Sequence, residues 1–375
     1  MVMDRALPIT AWTPPSLSPE IGLLARCCHA NFKSRITPGA RPGHQLDWAT
    51  FLALVSRHRV AGLAWHGLKS LGIEAPQAIA VQLSAAAATT ADHGLRAALL
   101  SGQLRDAFAA RDIPLLFLKG LVVGALAYGD PFRKMAWDID ILVAPDRLTD
   151  ACAVLRDMGH RPVHPAGSDD DIVRWHAQSK ESIWTSADGR MTIELHTGLS
   201  DHAALLPAMG IPQQPTVVEI LPGTSLATLP SDEQFAYLCV HGASSAWFRL
   251  KWIADLAGTI SGSSEAELGR LLDAADRLGA GRSATQALLL ACCLFPILSH
   301  DAPLARALRS DRVAIWLAAR SLAQLCGPEP KSRRFGTATI HLTQLMLTPR
   351  VGDGLTELAR QLRAPFSRRA FRFDD

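Results

Sequence analysis

The chain has 375 residues, 48% hydrophobic and 19% charged, which supports one large core or two to three smaller ones and excludes a disordered or fibrous protein. Its 38 Lys and Arg against 35 Asp and Glu leave the charge nearly balanced, which excludes binding to nucleic acid through bulk charge. The seven cysteines are odd in number and show no Cys-x-x-Cys spacing, so reduced core thiols are expected, not a disulfide framework or zinc cluster.

Residues 1–20 are rich in Pro, Thr and Ser, and 34–44 read SRITPGARPGH, so a loose arm is expected over 1–44. The start lacks a basic segment followed by an apolar one, so no secretion signal is read and a cytoplasmic protein is expected. Over 45–112 the pattern is helical. Trp48, Phe51, Leu52, Val55, Val60, Leu63 and Leu68 fall three to five apart, predicting two helices joined near 58–60, and an Ala-rich helical stretch follows over 76–112.

Residues 113–229 mix elements. IPLLFL at 113–118 and WDIDILV at 137–143 predict strands, with a helix after Lys119-Gly120 and another over 145–158 stopped by Gly159. PAGSDDD at 165–171 reads as an acidic loop. Strands over 181–186 and 190–196 flank the turn Ala187-Asp188-Gly189, and two more flank Pro222-Gly223. Residues 230–350 read as a helical domain. Its most apolar run, ALLLACCLFPIL at 287–298, is too short to span a bilayer and reads as a buried helix end, so no membrane partner is expected. Residues 351–375 form a basic tail with five arginines from Arg360 onward. It reads first as a solvated face or chain end, with contact to RNA or an acidic peptide and, through Phe366, Phe371 and Phe373, docking on the protein itself as alternatives. The fold class is α+β with an α/β core and helical regions on both sides.

Within the 137–143 strand Asp138 and Asp140 point to one face and Ile139 and Ile141 to the other. Two carboxylates roughly 7 Å apart along a strand repel each other unless something pairs with them. A divalent cation resolves this, since Mg²⁺ takes hard oxygen ligands and is completed by substrate phosphates. The plainer alternative is an exposed strand end paired with Arg133 or Lys134. Gly120 allows close backbone approach at a helix start, where free N–H groups suit a phosphate. Glu194 in RMTIELH offers a third carboxylate; Asp188 is a second candidate, but it sits in the turn. His196 shares the face of Glu194. His241 lies inside the apolar helix FAYLCVHGA, where a packed histidine is the plainer reading, and Trp247 and Trp252 read as core. Lys251 and Asp255 are four apart, as in a surface pair.

Gly120 in a turn after a strand, the helix that follows, Asp138-Ile139-Asp140 on the next strand and the further acid Glu194 form an arrangement that resembles the DNA polymerase β-type nucleotidyltransferase superfamily. Leu118-Lys119-Gly120, Tyr128, Arg133, Asp138-Ile139-Asp140, Glu194-Leu195-His196, His241, Trp247, Arg249-Leu250 and Asp255 follow a narrower order and spacing. The closer resemblance, over roughly 45–260, is to a bacterial branch described as uncharacterised nucleotidyltransferases. The superfamily's usual Gly-Ser turn is Lys-Gly here, so Lys119 stands where a serine often touches the triphosphate. The resemblance implies a polymerase-β-like mixed sheet, with Asp138, Asp140 and Glu194 as the catalytic and metal-binding acids. It implies Lys119, Gly120, Arg133 and Arg249 on the nucleotide, and His196, His241 and Asp255 as accessory groups. The implied cofactor is Mg²⁺ or Mn²⁺ and the implied substrate a nucleoside triphosphate (NTP). The implied reaction is transfer of the NMP to a small-molecule or peptide acceptor, with release of pyrophosphate. A kinase-like phosphotransferase and a non-catalytic nucleotide-binding or interaction module are the alternatives.

Overall fold

A five-stranded mixed sheet sets the acidic strand beside a parallel neighbour. The computed structural model describes residues 17–34, 46–327 and 338–370. The sheet runs β1-β2-β5-β4-β3, built from β1 (Leu116–Phe117), β2 (Asp138–Leu142), β3 (Arg161–His164), β4 (Glu181–Thr185) and β5 (Thr192–His196). Only β2 and β5 pair in parallel, in the register Asp138 to Thr192, Asp140 to Glu194 and Leu142 to His196. β4 and β5 form the expected hairpin, with Gly189 at φ +70° and Glu181 opposite His196. A separate two-stranded sheet, β6 (Thr216–Leu221) and β7 (Thr224–Thr228), turns at Pro222-Gly223.

Helices pack around this core. α2 (Trp48–His58) and α3 (Ala61–Ser70) are joined at Arg59, which adopts the left-handed conformation at φ 56°. α4 (Gln77–Ala109) is one long helix whose buried side, Leu83, Ala87, Thr90, Gly94, Ala97, Ser101, Leu104 and Phe108, repeats every three or four residues. α5 (Leu121–Tyr128) starts at Gly120, whose φ of +62° turns the chain sharply out of β1. α6 (Leu148–Asp157) follows β2, preceded by a 3-10 turn over Pro145–Arg147. The C-terminal half adds α8 (Ser231–Ser244), α9 (Leu250–Thr259), α10 (Glu265–Arg277), α11 (Gly281–Leu294), α12 (Pro303–Leu308), α13 (Arg312–Cys326), α14 (Ala338–Gln344) and α15 (Val351–Ala370). Among the described residues no helix is long and apolar enough to cross a membrane.

Four readings change. Within the expected arm, α1 (Pro19–His29) is a helix capped by Ser18, with Leu23, Leu24, Cys27 and Cys28 buried; the flanking Pro and Ser residues mark its start, not a loose segment. Residues 1–16 and 35–45 lie outside the described residues. The acidic run at 168–171 is the capping box of a further helix, α7 (Asp169–His176): Ser168 Oγ accepts from Asp171 N while the Asp171 carboxylate accepts from Ser168 N. Pro162 and the short length of RPVH hide the edge strand β3. The basic tail is helical through Ala370, and Glu357 on it is buried. Phe371 and Phe373 lie outside the described residues.

The turn ahead of the acidic strand is closely approached by the backbone of α3. A Cβ on Gly62 of α3 would overlap the Arg133 carbonyl in the 3-10 turn Pro131–Arg133, just ahead of β2. Gly62→Ala is therefore expected to destabilise the protein by about 1–3 kcal/mol, read as a lower denaturant midpoint with unchanged slope.

Candidate functional site

Strand alternation and register bring one polar face together. Asp138 and Asp140 share a face of β2, and Glu194, the register partner of Asp140, shares its face on β5 with His196. Glu181, opposite His196 on β4, extends that face by one strand. The face opens on a cleft of about 340 Å³. The start of α5, with α8 and α9, contributes Gly120, His241, Lys251, Trp252 and Asp255 to its lining. Residues 199–202, together with Gln344, Glu357 and Arg360 from α14 and α15, contribute the rest of the polar lining away from the sheet.

Lys119 Nζ lies 2.7 Å from Asp140 Oδ1 and 4.0 Å from Glu194 Oε2. His196 Nε2 lies 3.3 Å from Asp140 Oδ1 and 3.6 Å from Glu194 Oε2. Burial alone would raise the Asp140 pKa, but Lys119 and His196 outweigh it and hold the carboxyl well below its usual range. Glu194 goes the other way, pushed up to about 7 by burial and by the Asp140 charge. Burial would lower the Lys119 pKa, and Asp140 reverses this, keeping the ammonium charged.

The donor set fits a divalent cation. One ligand atom each from Asp140, Glu194 and His196 lies within 4.8 Å of the others, and Asp140 Oδ2 is buried with no hydrogen-bond partner. Carboxylate oxygens are hard donors suited to Mg²⁺ or Mn²⁺. Asp138 lies outside that group but lines the same cleft.

The structure brings together Lys119, Gly120, Asp138, Asp140, Glu194, His241 and Asp255 in the cleft lining. Two expected nucleotide contacts do not reach it. Arg133 is drawn off by Asn31 Oδ1 at 3.0 Å and Asp130 Oδ2 at 3.2 Å. Arg249 donates to the Arg57 carbonyl and lies over the Phe248 ring, 5.0 Å from its centroid. Their neighbours take the cleft positions instead: Lys134 and Lys251 line it, as does Arg59. The surface pair expected of Lys251 and Asp255 is absent. Asp255 is buried, ion-paired with Lys134, and accepts a 2.8 Å hydrogen bond from Tyr128 Oη. Lys251 is lowered to about 8, by burial first and then by Lys134. His241 stands edge-on to Trp252 at 5.7 Å, and burial, with Lys119 nearby, keeps its pKa well below the ordinary value.

Sequence reasoning also missed Lys180, Glu181, Glu357 and Arg360. For Glu181 a signal existed. Counting back from the Ala187–Gly189 turn pairs it with His196. For Glu357 and Arg360 the i, i+3 spacing gave only a local ion pair, which is present at 2.7 Å.

A family model described as an uncharacterised nucleotidyltransferase matches residues 44–296. No curated protein matches the chain.

The Lys134–Asp255 pair is buried on both sides, so removing one partner strands a charge. Lys134→Met is expected to cost about 3–5 kcal/mol of stability, measured by denaturant unfolding, and Lys134→Met/Asp255→Leu to recover part of it.

Proposed function

The chain belongs to the uncharacterised nucleotidyltransferase family, and from that premise we propose a divalent-cation-dependent enzyme that transfers an NMP from an NTP to a hydroxyl of a small-molecule or peptide acceptor, releasing pyrophosphate. The observation that carries this reading is the in-register pairing of Asp140 with Glu194 on the parallel strands β2 and β5, beside the face-sharing Asp138. Three carboxylates on one wall of a cleft suit metal-assisted phosphoryl chemistry.

Asp138, Asp140 and Glu194 would hold Mg²⁺ or Mn²⁺. When bound, such cations neutralise phosphate oxygens and make an acceptor hydroxyl more acidic. The chain's own residues do the rest. Lys119, Lys134, Lys251 and Arg59 present positive charge to the same cleft and suit a triphosphate. The N-terminus of α5, opened by the turn at Gly120, directs backbone N–H groups outward, favourable to a phosphate. Where it does not ligate the cation, Glu194, its carboxyl raised by burial and by the Asp140 charge, is suited to take the acceptor's hydroxyl proton. Acidic and basic side chains share the cleft lining, several of them ion-paired, which favours a small or peptidic acceptor over a nucleic acid.

Calorimetric titration of each of the four NTPs with Mg²⁺ tests this, with Asp138→Ala/Asp140→Ala run alongside. The wild type is expected to bind in a metal-dependent way and the double variant to lose at least about 100-fold, roughly 2.7 kcal/mol. Equal binding in both proteins places the nucleotide elsewhere. Pyrophosphate among the products of an acceptor screen supports nucleotidyl transfer, whereas nucleoside diphosphate in its place means phosphoryl transfer.

A further inference from the structure

Two side chains at the acidic face have no part in the reading above: His196 and Glu181. Asp140, Glu194 and Glu181 line the cleft, but His196 does not, and its side chain is fully buried behind them. From there the single imidazole touches a carboxylate on each of three adjacent strands. Nε2 lies 3.3 Å from Asp140 Oδ1 on β2 and 3.6 Å from Glu194 Oε2 on β5, and Nδ1 lies 3.4 Å from Glu181 Oε2 on β4. The last contact is within ion-pair range but is not aligned as a hydrogen bond. Glu181 is itself held by Lys180, which pairs with the same Oε2.

This arrangement has a mechanical consequence. Neighbouring carboxylates repel and rotate apart unless a donor fixes their spacing. Here the imidazole and Lys119 both engage Asp140 Oδ1, which leaves Oδ2 as the oxygen with no hydrogen-bond partner. Nε2, engaged by Asp140 and buried behind the acids, is not presented to the cleft.

We infer that His196, anchored by Glu181, is the positioning residue of the acid set. It holds Asp140 and Glu194 in the arrangement that accepts a divalent cation, without itself ligating the cation. The inference rests on the nucleotidyl-transfer reading only in requiring that a cation binds there.

The test is Mn²⁺ uptake by the full chain without nucleotide, followed by the loss of the free-ion electron paramagnetic resonance signal. His196→Ala is expected to bind Mn²⁺ about 10- to 100-fold more weakly, the usual cost of removing a group that orients metal ligands. His196→Gln, whose amide still donates to Asp140, is expected to recover most of that loss. Glu181→Ala is expected to weaken binding in the same direction by less, and it carries the test if His196→Ala does not fold. Electron spin-echo modulation on the Mn²⁺-loaded wild type is expected to show no directly bound imidazole nitrogen. A direct nitrogen ligand, or full Mn²⁺ affinity in folded His196→Ala or, where that variant does not fold, in Glu181→Ala, overturns the inference and leaves the nucleotidyl-transfer reading standing. A wild type that takes up no Mn²⁺ overturns both.

Discussion

The parallel pairing of β2 with β5 sets Asp140 directly beside Glu194, and much of the surrounding structure compensates for that one juxtaposition. Two carboxylates at that spacing are costly in a partly dry site. Lys119, from the turn that ends β1, and His196, two residues beyond Glu194, supply the opposing donors. The balance is uneven. Asp140 is held firmly ionised, while Glu194 is pushed to about 7 by burial and by its neighbour. Carboxylates with such different proton affinities on one wall can take different roles in one reaction.

The helical regions supply what the small sheet lacks. α5, α8 and α9 line the cleft, and the buried Asp255 ties Lys134 on the approach to β2 and Tyr128 at the end of α5 to α9. That knot fixes where Lys134 stands. Lys251, one turn ahead of Asp255, is left to face the cleft with a lowered pKa. On the helix-rich side nearest the N-terminus, His58 of α2 accepts a hydrogen bond from Leu250 N, joining residues 192 positions apart. The site is therefore held by contacts between distant parts of the chain, and local helix propensity contributes little to its shape.

How much of this could be read beforehand follows from the range of the interactions involved. Asp138, Asp140, Glu194 and His196 were legible because strand alternation is a local rule. The hairpin at Ala187–Gly189 was legible because its turn residues carry the signal. The choice of Lys134 over Arg133, and of Lys251 over Arg249, was not. It depends on Asn31, Asp130 and Arg57 claiming the arginines, and no spacing in the sequence reports those partners. Lys251 and Asp255 show the same limit: an i, i+4 rule applies to exposed helix faces, and Asp255 is buried. α1 and α7 were hidden because Pro, Ser and Asp were read as loop residues where they serve as caps.

Part of the cleft lining comes from α14 and α15, which lie far along the chain from the sheet. Gln344 of α14 donates to the Ser244 carbonyl of α8, and Gln361 of α15 donates to Gln344. Through these amide contacts α15 brings Glu357 and Arg360 to the cleft without taking part in any β ladder. Its order and the occupancy of the cleft are consequently linked quantities. A ligand that touches both the sheet face and α15 stabilises the docked helix by the same free energy by which the docked helix strengthens binding. Backbone amides of α15 would then slow their hydrogen exchange when the cleft fills, while amides of β2 and β5, already held by the sheet, would change little.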